Sequence, residues 1–183
     1  MKRPTILSLA VSLISCFAMV VLTPAASASP GSSVLMGATI EQSNVAGYVW
    51  IKNSSGKCLE ISNSSNSNGA KAQQWDCVGQ NGALWWLEDR GGGAWYIHNY
   101  SNKCLEISDS STLNGARAQQ WDCVGQAGAV WWFDFRGGDG RYFWIRTVNA
   151  NKCLEIADSS LVNGVRAQQW DCVGQAGAWW GEF

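Results

Sequence analysis

Apolar and polar positions alternate in the same order at three places along this chain. "CLEI" occupies residues 58–61, 104–107 and 153–156, and "AQQWDC" follows at 72–77, 118–123 and 167–172. A period of two predicts short half-buried strands. Between the two segments each copy has an Asn-Gly step, at Asn68-Gly69, Asn114-Gly115 and Asn163-Gly164, which predicts a tight turn. Ahead of them run "YVWIKN" (48–53), "WYIHNY" (95–100) and "YFWIRTV" (142–148), rich in aromatic and β-branched residues and read as strands. A tandem-Trp stretch begins a fourth strand in the first two copies. In the third, Gly181 stands where Trp86 and Trp132 stand, so a short closing strand is expected. Gly91-Gly92-Gly93 and Gly137-Gly138-Asp139-Gly140 mark turns between units. No stretch after residue 28 has a helical period.

The repeated block starts at Lys57, Lys103 and Lys152, 46 and then 49 residues apart. Such a period suits propellers, solenoids or closed threefold folds. Three units are few for a solenoid and below the usual number of propeller blades. A pseudo-symmetric closed barrel is the better fit, with units at about 47–92, 93–141 and 142–183. Residues 29–46 are rich in Ser, Gly and Asn and read as a flexible leader. Before them, Lys2 and Arg3, the apolar run from Ile6 to Leu22, and Ala26-Ser27-Ala28 have the layout of a secretory signal peptide spanning 1–28. A lipobox-like Leu13-Ile14-Ser15-Cys16 offers lipid attachment at Cys16 as a minor alternative.

Export changes what the seven cysteines mean. Cys16 would leave with the signal, and six remain, one pair per unit: Cys58 and Cys77, Cys104 and Cys123, Cys153 and Cys172. Their constant separation makes one disulfide inside each unit the simplest of the possible pairings. Metal binding is disfavoured by the lack of any CxxC pair and by a single histidine, His98. The net charge of −1 and the charged fraction of 15% give no basic footprint for nucleic acid. No amphipathic membrane helix is visible, so neither nucleic acid nor membrane insertion is expected.

Strand parity places Cys58 and Glu60 on one face of "CLEI", with Leu59 and Ile61 on the other, core-facing side. In "QQWDC" it groups Gln73, Trp75 and Cys77. A Cys58–Cys77 bridge across antiparallel strands then predicts Glu60 opposite Trp75 and Ser62 near Gln73. A carboxylate, an indole and a carboxamide converge on one face. The same reasoning gathers Glu106, Gln119 and Trp121, and Glu155, Gln168 and Trp170. An indole stacks on the apolar face of a pyranose, while carboxylate and amide bond vicinal hydroxyls. Three shallow sites gain from multivalent attachment to a repetitive glycan.

The thrice-repeated "CLEI…NG…AQQWDC…W" resembles the ricin-type β-trefoil lectin domain, also called carbohydrate-binding module family 13, from about residue 47 onward. That resemblance implies an all-β trefoil of twelve short strands and up to three sugar sites, with no cofactor. It assigns sugar hydroxyls to Glu60, Glu106 and Glu155, where the family usually has Asp. It assigns the site amide to Gln73, Gln119 and Gln168, and the stacking ring to Trp75, Trp121 and Trp170. The family's closing Asn-Gln-x-Trp is absent: Gly82-Ala83-Leu84-Trp85, Gly128-Ala129-Val130-Trp131 and Gly177-Ala178-Trp179-Trp180 stand in its place.

Other repeated residues have structural readings. Trp85, Trp131 and Trp180 are expected to fill the threefold centre. Gln74, Gln120 and Gln169 have inward parity and are expected to satisfy backbone groups. Lys71, Arg117 and Arg166 read as solvated or paired, and Asp76, Asp122 and Asp171 as turn acceptors. No asymmetric catalytic constellation is visible. His98 stands alone, and adjacent Glu88 and Asp89 fall on opposite strand faces, unsuited to a glycosidase pair. The reading is a secreted, monomeric, non-catalytic lectin for glycans such as galactosides or xylan-like polymers. The alternative is a sugar-blind trefoil acting through residues 63–68, 109–114 and 158–163 as a protein-interaction module or protease inhibitor.

Overall fold

The computed structural model describes residues 34–35, 38–39, 43, 45, 47–136 and 140–181. The signal-peptide and Cys16 readings lie outside them. Within the leader, β1 (Val34–Leu35) and β2 (Ala38–Thr39) form a two-residue antiparallel ladder.

Three lobes follow. In the first, β3 (Cys58–Ile61) pairs with β4 (Ala72–Trp75), and β5 (Trp85–Gly91) comes after. The second has β6 (Ala94–Asn99), β7 (Cys104–Ile107), β8 (Ala118–Trp121) and β9 (Val130–Arg136). The third has β10 (Tyr142–Thr147), β11 (Cys153–Ile156), β12 (Ala167–Trp170) and β13 (Trp180–Gly181). The predicted first strand at 48–53 is present only as isolated bridges, Val49 to Trp85, Lys52 to Cys58 and Asn53 to Trp180. It fills the twelfth place of a β-trefoil. The closing strand β13 is described over Trp180–Gly181, where the described residues end. Antiparallel pairs link successive lobes (β5 with β6, β9 with β10) and close the second and third lobes on themselves (β6 with β9, β10 with β13), and β3–β4, β7–β8 and β11–β12 are the hairpins beside them.

The core is threefold. Trp85, Trp131 and Trp180 are wholly buried with Leu59, Leu105, Leu154 and the isoleucines of each "CLEI". Each indole Nε1 donates to the carbonyl of the leucine in its own lobe, at 2.8, 2.9 and 2.9 Å. An indole can occupy a core only if its N–H finds such an acceptor. No described helix is long and apolar enough to cross a membrane.

The lobes close into a ring through their hairpins. Gln74 Nε2 donates to the carbonyls of Ser160 and Val162, Gln120 to those of Ser65 and Ser67, and Gln169 to those of Ser111 and Leu113. The inward glutamines therefore do satisfy backbone groups, and those groups belong to the neighbouring lobe. Outside them, Asn163 Nδ2 reaches Asp76, Asn68 reaches Asp122 and Asn114 reaches Asp171, each at 2.8 Å. The same aspartates hold Lys57 and Lys103 at 2.5 Å, and Lys152.

The lysine ammonium first, and the asparagine amide second, hold all three aspartates below the ordinary carboxylate range. A carboxylate depressed by folding stabilises the fold fully above its unfolded value, about pH 4 for aspartate. That contribution disappears as pH falls through the lower folded value. Thermal unfolding should therefore lose midpoint below about pH 4. An Asp76→Asn, Asp122→Asn, Asp171→Asn protein should follow a flatter curve over that range. Parallel curves would remove these aspartates from the acid response.

Candidate functional site

In each hairpin the observed register differs from the expected one by two residues. Glu60 lies opposite Gln73, and Cys58 opposite Trp75, with equivalent pairs in the other lobes. The disulfides form as expected, Cys58–Cys77, Cys104–Cys123 and Cys153–Cys172, with Cα atoms 5.2 Å apart. Cys77 is therefore beyond the end of β4, and the chain curls back over Cys58 to meet it. Parity survives a two-residue shift, so the carboxylate, amide and indole still share a face.

That face is more enclosed than strand alternation alone implies. Glu60, Glu106 and Glu155 are buried, as are Gln73, Gln119 and Gln168. They form the floor of three depressions of about 170 Å³ in the first lobe and 190 Å³ in each of the others. Drug-sized pockets run to roughly 300–1,000 Å³, so each depression suits a single ring. Trp75, Trp121 and Trp170 stand as walls, each 40% exposed. Val78, Val124 and Val173, each 75% exposed, line the same depressions.

The carboxylates are fixed by two amides. Gln73 Nε2 donates to Glu60 Oε1 at 2.6 Å, and Gln80 Nε2 to Glu60 Oε2 at 2.7 Å. Glu106 receives Gln119 and Gln126 at 2.8 and 2.7 Å. Glu155 receives Gln168 and Gln175 at 2.8 and 2.6 Å. Each carboxylate oxygen keeps a further lone pair for a hydroxyl.

Gln80, Gln126 and Gln175 were not singled out by sequence reasoning. They sit in loops, where strand parity has no reach, although each closes the repeated "DCVGQ". They supply an amide that the missing Asn-Gln pair does not. A side chain at the old Asn position is sterically barred: a Cβ on Gly128 would fall 2.7 Å from the Ile107 carbonyl oxygen and 2.9 Å from Ser110 Cα. Gly128 N–H instead donates to Ser110 Oγ at 2.9 Å, as Gly82 does to Ser64 and Gly177 to Ser159.

The remaining wall is a kinked turn. Asn63, Asp109 and Asp158 have φ of 57°, and the serines after them 48° or 49°. Left-handed backbone costs non-glycine residues roughly 1–2 kcal/mol each, Asn and Asp least. The serine-to-glycine hydrogen bond holds the second of the two in place. Asn63 is neutral where Asp109 and Asp158 are acidic, so the first site carries one fewer carboxylate on its rim.

The other acidic and basic candidates lie elsewhere. His98 is buried, stacked on Trp86 with centroids 3.8 Å apart, and its Nε2 lies 2.9 Å from Glu88 Oε2. Arg90 first and His98 second hold the Glu88 carboxyl below its usual range. Asp89 accepts the Gly91 N–H at 2.7 Å. His98, Cys104 and Cys123 cluster closely, but the two sulfurs are bonded to each other and offer no thiolate.

Residues 38–121 and 100–170 match the family described as ricin-type β-trefoil lectin domain-like. Among solved structures, the designed threefold-symmetric protein ThreeFoil is 26% identical, with a TM-score of 0.71 over 75% of this chain and 99% of its own. An exo-β-1,3-galactanase from Clostridium thermocellum is 28% identical, with a TM-score of 0.70 over 77% of this chain, which spans 31% of the galactanase. The Macrolepiota procera ricin B-like lectin, solved with lactose, is 18% identical, with a TM-score of 0.62 over 73% of this chain and 91% of its own. No curated protein sequence matches the chain.

Proposed function

Since the chain belongs to the ricin-type β-trefoil lectin-like family, we propose that it is a secreted, non-catalytic glycan-binding protein with three single-ring sites. The observation that carries this reading is the repeated set of one indole wall and one carboxylate braced by two amides. Trp75, Trp121 and Trp170 stack a pyranose face. Glu60, Glu106 and Glu155 accept its vicinal hydroxyls. Gln73, Gln119 and Gln168 orient those carboxylates, while Gln80, Gln126 and Gln175 brace the second oxygen. A hydroxyl bonded to a charged acceptor contributes about 1.5–3 kcal/mol, so each site binds weakly and the three together gain by avidity. Three disulfides suit an oxidising, extracellular setting. The second wall residue, Val78 or its equivalents, favours a ring presenting an apolar patch on both faces.

The test is a glycan array with the oxidised protein, including galactosides and xylan fragments. Lactose in the Macrolepiota lectin places galactosides first in that screen. A folded Trp75→Ala, Trp121→Ala, Trp170→Ala protein should lose at least about a hundredfold in apparent affinity, since avidity multiplies the single-site loss. Because each ring is only 40% exposed and packs on a neighbouring lobe's turn, the variant should also lose some thermal midpoint, and binding is read well below that midpoint. A parent that binds no glycan, or a triple variant that binds as well as the parent, would turn the reading to a protein-interaction module.

A further inference from the structure

The chain carries 13 lysines and arginines. Six described ones grip a carboxylate: Lys57, Arg90, Lys103, Arg136, Arg146 and Lys152. Lys52 and Arg141 make contacts of their own. Lys71, Arg117 and Arg166 have no acidic partner among the described residues, and they are one position repeated in three lobes. Lys71 Nζ donates to the Gly164 carbonyl at 3.0 Å and Arg166 Nη2 to Gln168 Oε1 at 2.8 Å, both neutral acceptors. The Arg117 guanidinium makes no hydrogen bond among the described residues.

Backbone bridges bring these residues together. Lys71 bridges Gln119, Arg117 bridges Gln168, and Arg166 bridges Gln73. β4, β8 and β12 each touch the other two, so the three positions surround the pseudo-threefold axis at the level of the backbone. Their parity matches Gln73 and Trp75, so they share the face of the sugar sites. Arg117 and Arg166 line a shallow depression of about 340 Å³ together with Ser108 and Ser111. Asp109 lies on the wall of this depression and of the second-lobe site alike, with its carboxylate hydrogen-bonded to Ser108 Oγ at 3.0 Å. Beside it, Gln119 Oε1 is buried without a partner, whereas its counterpart in the third lobe is bonded by Arg166.

Like charges within a Debye length, about 8 Å in physiological salt, repel. An oxyanion removes that repulsion, and a guanidinium fork meets it with two parallel hydrogen bonds. The geometry points to an oxyanion subsite between the second and third lobes, where Arg117 and Arg166 hold the carboxylate or sulfate ester of an acidic saccharide. A neighbouring ring of that saccharide lies in the second-lobe site. The assignment rests on the glycan reading for its ligand class, and on the unpaired cations alone for its anion.

Inorganic sulfate is the first probe, titrated against chloride at equal ionic strength, with thermal midpoint and arginine side-chain NMR shifts as readouts. The parent should show a saturable sulfate-specific rise and shifts at Arg117 and Arg166. Arg117→Gln with Arg166→Gln should abolish both, and Trp121→Ala should keep both. Equal responses to sulfate and chloride, or an unchanged response in the arginine variant, would overturn the site. The second arm compares a uronate-bearing and a sulfated oligosaccharide with their neutral counterpart. At least one should bind about tenfold tighter, an advantage lost in the arginine variant, and which one does so separates carboxylate from sulfate. Sulfate binding without any preference for acidic saccharides overturns the glycan assignment. Failure of all three saccharides to bind counts against the glycan function and leaves the sulfate result standing.

Discussion

Replacing Trp131 with alanine should lower stability by about 3–5 kcal/mol. The ring is wholly buried in the cluster that all three lobes share, so its removal opens a cavity that the rigid hairpins around it cannot collapse to fill. The change also strands the Leu105 carbonyl, which accepts the indole N–H at 2.9 Å. An orphaned buried acceptor adds a penalty of about 1–3 kcal/mol, part of it already within the range above. Urea unfolding at constant slope measures the loss. Trp131→Phe separates the two causes, because it restores most of the volume and none of the hydrogen bond. A loss below about 1 kcal/mol for the alanine variant would mean that the centre relaxes far more than a close-packed core should.

Reducing the disulfides should have a comparable effect for each bridge. Every one joins residues 19 apart, for which the loop-entropy account gives about 3 kcal/mol. Native stabilities are typically about 5–15 kcal/mol, so losing all three should leave most of the chain unfolded at body temperature. Paired Cys104→Ala, Cys123→Ala replacement isolates one bridge. It should also weaken the second-lobe sugar site before global unfolding, because Cys123 anchors the chain between Trp121 and Gln126. Denaturation curves with and without reductant, followed by glycan titration of the paired variant, test both parts. Superimposable denaturation curves would show that the loops are already constrained without the sulfurs.

The period-two pattern of "CLEI" and "AQQW" was enough to read the strands, the core-facing leucines and the outward-facing indoles. It could not distinguish two registers that differ by two residues, since both keep every side chain on the same face. Glu60 therefore landed opposite Gln73, two positions from where a direct disulfide ladder puts it. The segment at 48–53 has strand composition but forms only isolated bridges. Composition reports what fits a pleated surface, while pairing depends on which edges are left open by other lobes. Gln80 and Ser64 were hidden for a different reason. Their roles arise where a loop crosses a kinked turn, and no local period encodes such a crossing. The inward parity of Gln74 was legible, but not that its partners would be carbonyls 86 and 88 residues away.

Those partners make the three lobes depend on one another. Each indole wall is finished by the lobe before it in the ring: Asn163 reaches Asp76 beside Trp75, just as Asn68 reaches Asp122 beside Trp121. A gene encoding two repeats would make a protein with one wall unfinished and one glutamine clamp empty. A gene encoding one repeat could complete every wall by assembling as three copies. Three is therefore the number of lobes at which every wall is finished and every glutamine clamp is filled within one chain.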